Sequence, residues 1–211
     1  MTQTRAIAQR RAFATLATVG VVIYVVVDVV LQMLPPYYDP IREAESNLAV
    51  GPFGWIMSIN FFGRAILCAC AILAIARVGE STRARRVGIA LFAVAGFCSG
   101  ALAFFPTDIH PDGGVATSTT SGAIHLGLAS TGFVVALVAF GVLTQWLRGI
   151  RSLASTARAA LVALTVAGGG LIALAISIAF FPGVLGLMER ICLAGILAWV
   201  FVVANGIRRL R

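Results

Sequence analysis

Residues Phe13–Met33, FATLATVGVVIYVVVDVVLQM, decide the fold class: 21 positions carry a single charged residue, Asp28. About 20 consecutive apolar residues are what a helix needs to cross a bilayer core. Five further stretches have this character: 54–76, 87–105, 122–147, 159–181 and 185–205. None alternates with the period of two that a barrel strand requires. The expected fold is therefore all-α: one domain over residues 1–211, a polytopic bundle of six transmembrane helices. Composition agrees. Only 11% of the 211 residues are charged and mean hydropathy is +0.98, whereas a soluble domain carries about a quarter charged residues.

The first span is read as a signal anchor. Its apolar run is too long for a cleaved leader, and no small-x-small site precedes Pro35-Pro36-Tyr37-Tyr38.

All 16 basic residues are arginine, and their placement predicts orientation. Arg5, Arg10 and Arg11 lie in the N-terminal tail. Arg77, Arg83, Arg85 and Arg86 accompany Glu80 between spans two and three, Arg148, Arg151 and Arg158 lie between spans four and five, and Arg208, Arg209 and Arg211 end the chain. Each segment has a net charge of +3. The alternate segments, with Asp39, Arg42, Glu43 and Glu45, and with Asp108 and Asp112, each have −2. Positive residues stay on the cytoplasmic side, so both termini are expected there, in a multi-pass protein of the cell membrane. Scattered arginine clusters do not form the basic stripe of a nucleic-acid binder, and that class is excluded.

Small residues inside the spans (Gly96 and Gly100, Gly127 and Gly132, Gly168-Gly169-Gly170) read as close helix contacts. Outward-running spans one, three and five each stop at a proline, in Met33-Leu34-Pro35, Phe104-Phe105-Pro106 and Phe180-Phe181-Pro182. This hints at three related hairpins. Cys68, Cys70, Cys98 and Cys192 lie in apolar runs without zinc-site spacing and read as inert thiols. The two histidines cannot give the paired mid-membrane ligands of a haem, and no phosphate-loop fingerprint is present. No cofactor or metal is expected.

Ionisable groups inside a membrane are costly and mark candidate sites. Tyr24, Asp28 and Gln32 share one helix face, as do Asn60 and Arg64. With His125, Glu189 and Arg190, these all fall in the outer half of the bilayer. They predict an outward-facing polar pocket whose ligand-binding residues are Asp28, Arg64, His125, Glu189 and Arg190. The packing alternative pairs Asp28 with Arg64 and Glu189 with a neighbouring arginine. Two arginines suit a bound phosphate, since the guanidinium donates in bidentate fashion. The outer loops add Glu45, Ser46, Asp108 and His110. Asp108, His110, Asp112 and His125 have the chemistry of metal ligands but no metal motif. Ser46, His125 and Asp108 have the residue types of a nucleophile, base and orienter, without a nucleophile-elbow sequence. A third reading makes Glu45-Ser46-Asn47 a helix cap and the aspartates loop solvation.

Tyr38-Asp39-Pro40, Glu45-Ser46-Asn47-Leu48-Ala49, Gly51-Pro52-x-Gly54-Trp55, Phe105-Pro106-Thr107-Asp108, Gly122-x-x-His125 and Glu189-Arg190 occur in this order from span one to span six. Their order and spacing resemble the domain of unknown function 998 family. The resemblance implies a six-helix bundle in a prokaryotic membrane and no assigned activity. The expected function is binding of a lipid headgroup or small amphiphile; a membrane-embedded enzyme on a lipid-linked substrate and a small transporter are the alternatives. Membrane lipids are the expected partners, with a second copy or another membrane protein as further candidates.

Overall fold

The computed structural model describes residues 3–109, 115 and 117–210. Six helices dominate it: α1 Gln3–Gln32, α2 Gly54–Ile75, α3 Arg83–Ala101, α4 Thr120–Arg148, α5 Ala154–Phe180 and α6 Leu185–Arg208. Short 3-10 turns occupy Glu45–Ala49, Leu102–Phe104, Arg151–Leu153 and Pro182–Val184. No strand occurs among the described residues. All six helices are long and apolar enough to cross a membrane.

Each helix lies against its sequence neighbours, and α6 closes on α1 to complete a ring. The most extensive contacts are within the pairs α1–α2, α3–α4 and α5–α6, the hairpins suggested by the three prolines. Connections alternate between two ends. At the basic end, Arg10 and Arg11 donate to the Leu210 carbonyl at 2.8 and 3.3 Å. At the acidic end, the Leu187 amide donates to the Ile41 carbonyl.

The largest boundary difference is at α1, which starts ten residues before the expected Phe13. Arg, Ala and Gln are strong helix formers, and the two arginine contacts hold this extension against otherwise unsatisfied carbonyls at the end of α6. Thr82 and Thr119 cap α3 and α4, accepting from the Arg85 and Gly122 amides.

In the half nearer the basic end, the centre is filled. Phe140 stacks on Trp199 at 3.9 Å, and Phe92 meets both rings edge-on. The Trp199 indole N–H donates to Thr144 Oγ1 at 2.8 Å, as a buried indole requires. The outer surface is apolar, with Val19, Val22, Ile23, Val26 and Val30 of α1 exposed. Hydrocarbon is the solvent that suits such a face.

Of the glycines expected at helix contacts, Gly127 and Gly169 face open space, whereas others lie against a neighbouring helix. A methyl built on Gly96 or Gly100 would lie 3.1 Å from Cys68 Cβ or 3.0 Å from Ala65 Cβ, across α3–α2. Helix α5 runs unbroken through Gly168-Gly169-Gly170.

Candidate functional site

The polar residues of the acidic half organise around Arg64, which α2 carries inward opposite Tyr24 of α1 and Ser99 of α3. Its Nε donates to Ser99 Oγ at 2.6 Å and its Nη1 to the Tyr24 hydroxyl at 2.9 Å. The Tyr24 hydroxyl in turn donates to Glu45 Oε1 at 2.9 Å, and Glu45 Oε2 lies 3.6 Å from Nη1. The guanidinium also packs over the Tyr24 and Phe61 rings, 5.1 and 5.2 Å from their centroids. Asn60 donates to the Tyr24 carbonyl. A buried charge persists only when paired and hydrogen-bonded, and both conditions are met.

The acid that neutralises Arg64 is therefore Glu45, not Asp28. Glu45 was expected as an outer-loop candidate or as part of a helix cap. Instead, the 3-10 turn dips into the bundle and leaves it 5% exposed, with no side-chain cap on the turn. Burial raises its carboxyl to about 7, against the opposing pull of Arg64.

Glu189 and Arg190 diverge, as adjacent residues on a helix must. Glu189 Oε2 accepts from the Glu45 amide at 2.7 Å. Arg190 points to the loop, where Nη1 donates to the Pro40, Glu43 and Gly186 carbonyls and Nη2 to the Tyr38 hydroxyl at 2.8 Å. Tyr38 donates onward to the Glu43 carbonyl. Arg190 thus ties residues 38–43 to α6. Asp28 accepts from Gln32 at 2.6 Å, and its other oxygen is buried without a hydrogen-bond partner among the described residues. Glu189 has no arginine within ion-pair distance among the described residues. The expected pairings of Asp28 with Arg64 and of Glu189 with an arginine are both corrected.

Two adjoining spaces open beside this network. A small chamber of about 70 Å³ is lined by Glu45, Arg64, Ser99, His125 and Glu189 above Phe92 and Phe140. A groove of about 460 Å³ lies between α4 and α5, walled by Leu126, Phe133, Val134, Leu171, Ile172 and Ile178. Ser46, His125, Ala129, Phe133 and Glu189 border both.

His125 is 3% exposed and its Nδ1 lies 2.6 Å from the Phe105 carbonyl. A carbonyl only accepts, so Nδ1 carries the hydrogen, which leaves Nε2 of the neutral ring as an acceptor. Nε2 has no partner among the described residues. Asp108 is engaged elsewhere: it accepts from the Ser118 and Thr119 amides and the Thr119 hydroxyl at 2.8–2.9 Å. These donors, the Thr119 amide foremost, lower its carboxyl below the usual range. It holds the start of α4 and does not merely solvate a loop.

Of the expected binding residues, Arg64, His125 and Glu189 meet at the cavity, joined by Glu45 and Ser46. Asp108 borders the groove. Asp28 and Arg190 line neither space, so the two arginines expected to hold a phosphate do not converge. With His125 and Asp108 each engaged elsewhere, the nucleophile–base–orienter constellation with Ser46 is not formed. His110 and Asp112 lie outside the described residues. Among the described residues, no group of three or more His, Cys, Asp and Glu side chains is placed to hold a metal. Ser99, missed in the sequence, is a lone hydroxyl in an apolar span, which carries no signal until Arg64 faces it.

The model of a family described as "Protein of unknown function (DUF998)" matches residues 18–206. The chain belongs to the DUF998 family. No curated protein and no solved structure matches it. The match runs from α1 into α6 and takes in every cavity residue named above. The segments that carry the resemblance to DUF998 contribute Glu45, Ser46, Asp108, His125 and Glu189 to the cavity walls, and Tyr38 and Arg190 to the loop clamp.

Proposed function

We propose that this protein binds a single amphiphilic molecule, its polar head among Glu45, Arg64, His125 and Glu189 and its apolar part in the groove between α4 and α5. The observation that carries this reading is an apolar groove between α4 and α5 that adjoins a chamber in which Glu45, Arg64, His125 and Glu189 interrupt an otherwise apolar wall. About 460 Å³ falls within the range of about 300–1,000 Å³ typical of small-molecule sites. Membrane lipid is the natural source of such a molecule.

The test fills the groove without touching the polar network. Ala175 lines the groove wall and is exposed. Ala175→Trp is expected to lower the lipid co-purifying with the protein, measured by native mass spectrometry, by about tenfold, the equivalent of about 1.4 kcal/mol. Unchanged retention in a variant with native thermal stability would overturn the reading.

The charge of the loops supports an orientation with both termini in the cytoplasm and the chamber in the outer leaflet. Thr117 and Ser81 are exposed at opposite ends of the bundle. In a chain whose four cysteines are replaced, Thr117→Cys is expected to react with an impermeant thiol reagent in intact cells, and Ser81→Cys only after permeabilisation. The reverse pattern would invert the orientation.

A further inference from the structure

Resting on the amphiphile-binding reading, we infer that the head received by the chamber is cationic, an ammonium group on an apolar chain. The chain as a whole has a net charge of +8, yet the cavity walls have the opposite sign. Glu43, Glu45, Asp108 and Glu189 line the two spaces against only Arg42 and Arg64. Arg42 stands 3.7 Å from Asp39 on the surface, and Arg64 engages Ser99 through Nε and Tyr24 and Glu45 through Nη1, which leaves only its Nη2 for a ligand.

A second observation points the same way. His125 is almost fully buried and borders both spaces, with its one N–H directed at the Phe105 carbonyl. What it offers the cavity is a lone pair. Glu189 offers the carboxylate oxygen not used by the Glu45 amide. An ammonium head donates to both and supplies the charge that Glu189 lacks. A phosphate head would gain Arg64 Nη2 but would meet two acceptors, one of them the Glu189 carboxylate.

Glu45 links this preference to pH. The groups facing it are Tyr24 and Asp28 of α1, Tyr38 of the loop, Arg64 of α2, His125 of α4, and Glu189 and Arg190 of α6. When Glu45 takes up a proton, the chamber loses one negative charge while an alkylammonium stays charged. Ammonium binding therefore weakens as the medium is acidified.

The experiment compares three probes sharing one tetradecyl chain: the amine, the alcohol and the phosphate monoester, titrated into purified protein by calorimetry. The amine is expected to bind about tenfold more tightly than either other probe at about pH 8. Its advantage should shrink towards about pH 6, while the alcohol stays level. Glu189→Gln should remove the amine's advantage over the alcohol. Equal binding of all three probes, or preference for the phosphate, overturns the inference; if Ala175→Trp still abolishes that binding, the amphiphile reading survives. If no probe binds, or none responds to Ala175→Trp, both fall.

Discussion

Gly170→Ala is expected to destabilise the bundle by about 2–3 kcal/mol, whereas Gly169→Ala, one position away, should be neutral or gain up to about 1 kcal/mol. The methyl added at Gly170 would lie 2.7 Å from Cys192 Cα and 2.9 Å from the Ile191 carbonyl carbon. Those are backbone atoms, which cannot rotate aside, so α5 and α6 must separate. Gly195, on the facing helix, is in the same position: its methyl would lie 2.7 Å from Ala167 Cα and 2.8 Å from the Ala163 carbonyl oxygen. A methyl on Gly169 meets nothing within 4 Å and gains only the helix propensity of alanine. The loss at Gly170 is large because lipid removes the hydrophobic drive between helices and leaves close packing to hold them. Reversible unfolding in mixed micelles measures both variants. Equal stability of Gly169→Ala and Gly170→Ala would show that the α5–α6 contact is looser than described.

Arg64→Met is expected to cost about 3–5 kcal/mol at alkaline pH, above the value of about 7 at which Glu45 gives up its proton, because it strands the Glu45 carboxylate in the bundle. Tyr24 and Ser99 lose a donor at the same time. Glu45→Gln in the same chain should restore much of the loss, so the double-mutant cycle gives a coupling energy of about 2 kcal/mol or more. The pH dependence has a definite sign. Glu45 moves from 4.5 to about 7 in the folded protein. Between those values the folded state holds more protons than the unfolded state. Stability therefore falls as pH rises through this window and recovers on acidification. For the same reason the penalty of Arg64→Met should shrink towards about pH 5, where Glu45 is neutral without its partner. A pH-independent penalty, or additive single and double variants, would show that the Arg64–Glu45 contact contributes nothing.

Both results depend on positions whose roles were unequally visible in one dimension. Gly168-Gly169-Gly170 reads as a packing stripe, but the three are interchangeable in the sequence. Only the rotation of α5 against α6 makes Gly170 the backbone contact and leaves Gly169 facing outward. Arg64 was visible as a candidate because a charge in an apolar span stands out. Its partner was misread as Asp28 because that acid also lies inside a span, whereas Glu45 sits in a polar loop that gives no sign of folding inward. Arg190 was drawn towards the pocket by its neighbour Glu189, yet consecutive residues on a helix point about 100° apart, and the loop carbonyls claimed it.

The sequence by itself determined the class of fold, the six helices to within a few residues except at the start of α1, and the family. Hydropathy runs and the absence of period two are local properties, and bilayer thickness sets the length that each run must reach. Tertiary structure alone decided which charges meet. It paired Arg64 with Glu45, turned Arg190 and Asp28 away from the cavity, gave Asp108 to the start of α4, and left His125 Nε2 and Glu189 at the head of an apolar groove. The reason is that the pairing of buried charges depends on helix rotation and loop path over separations such as that between residues 45 and 189. Those are set by side-chain packing around the whole ring, and no local pattern records them.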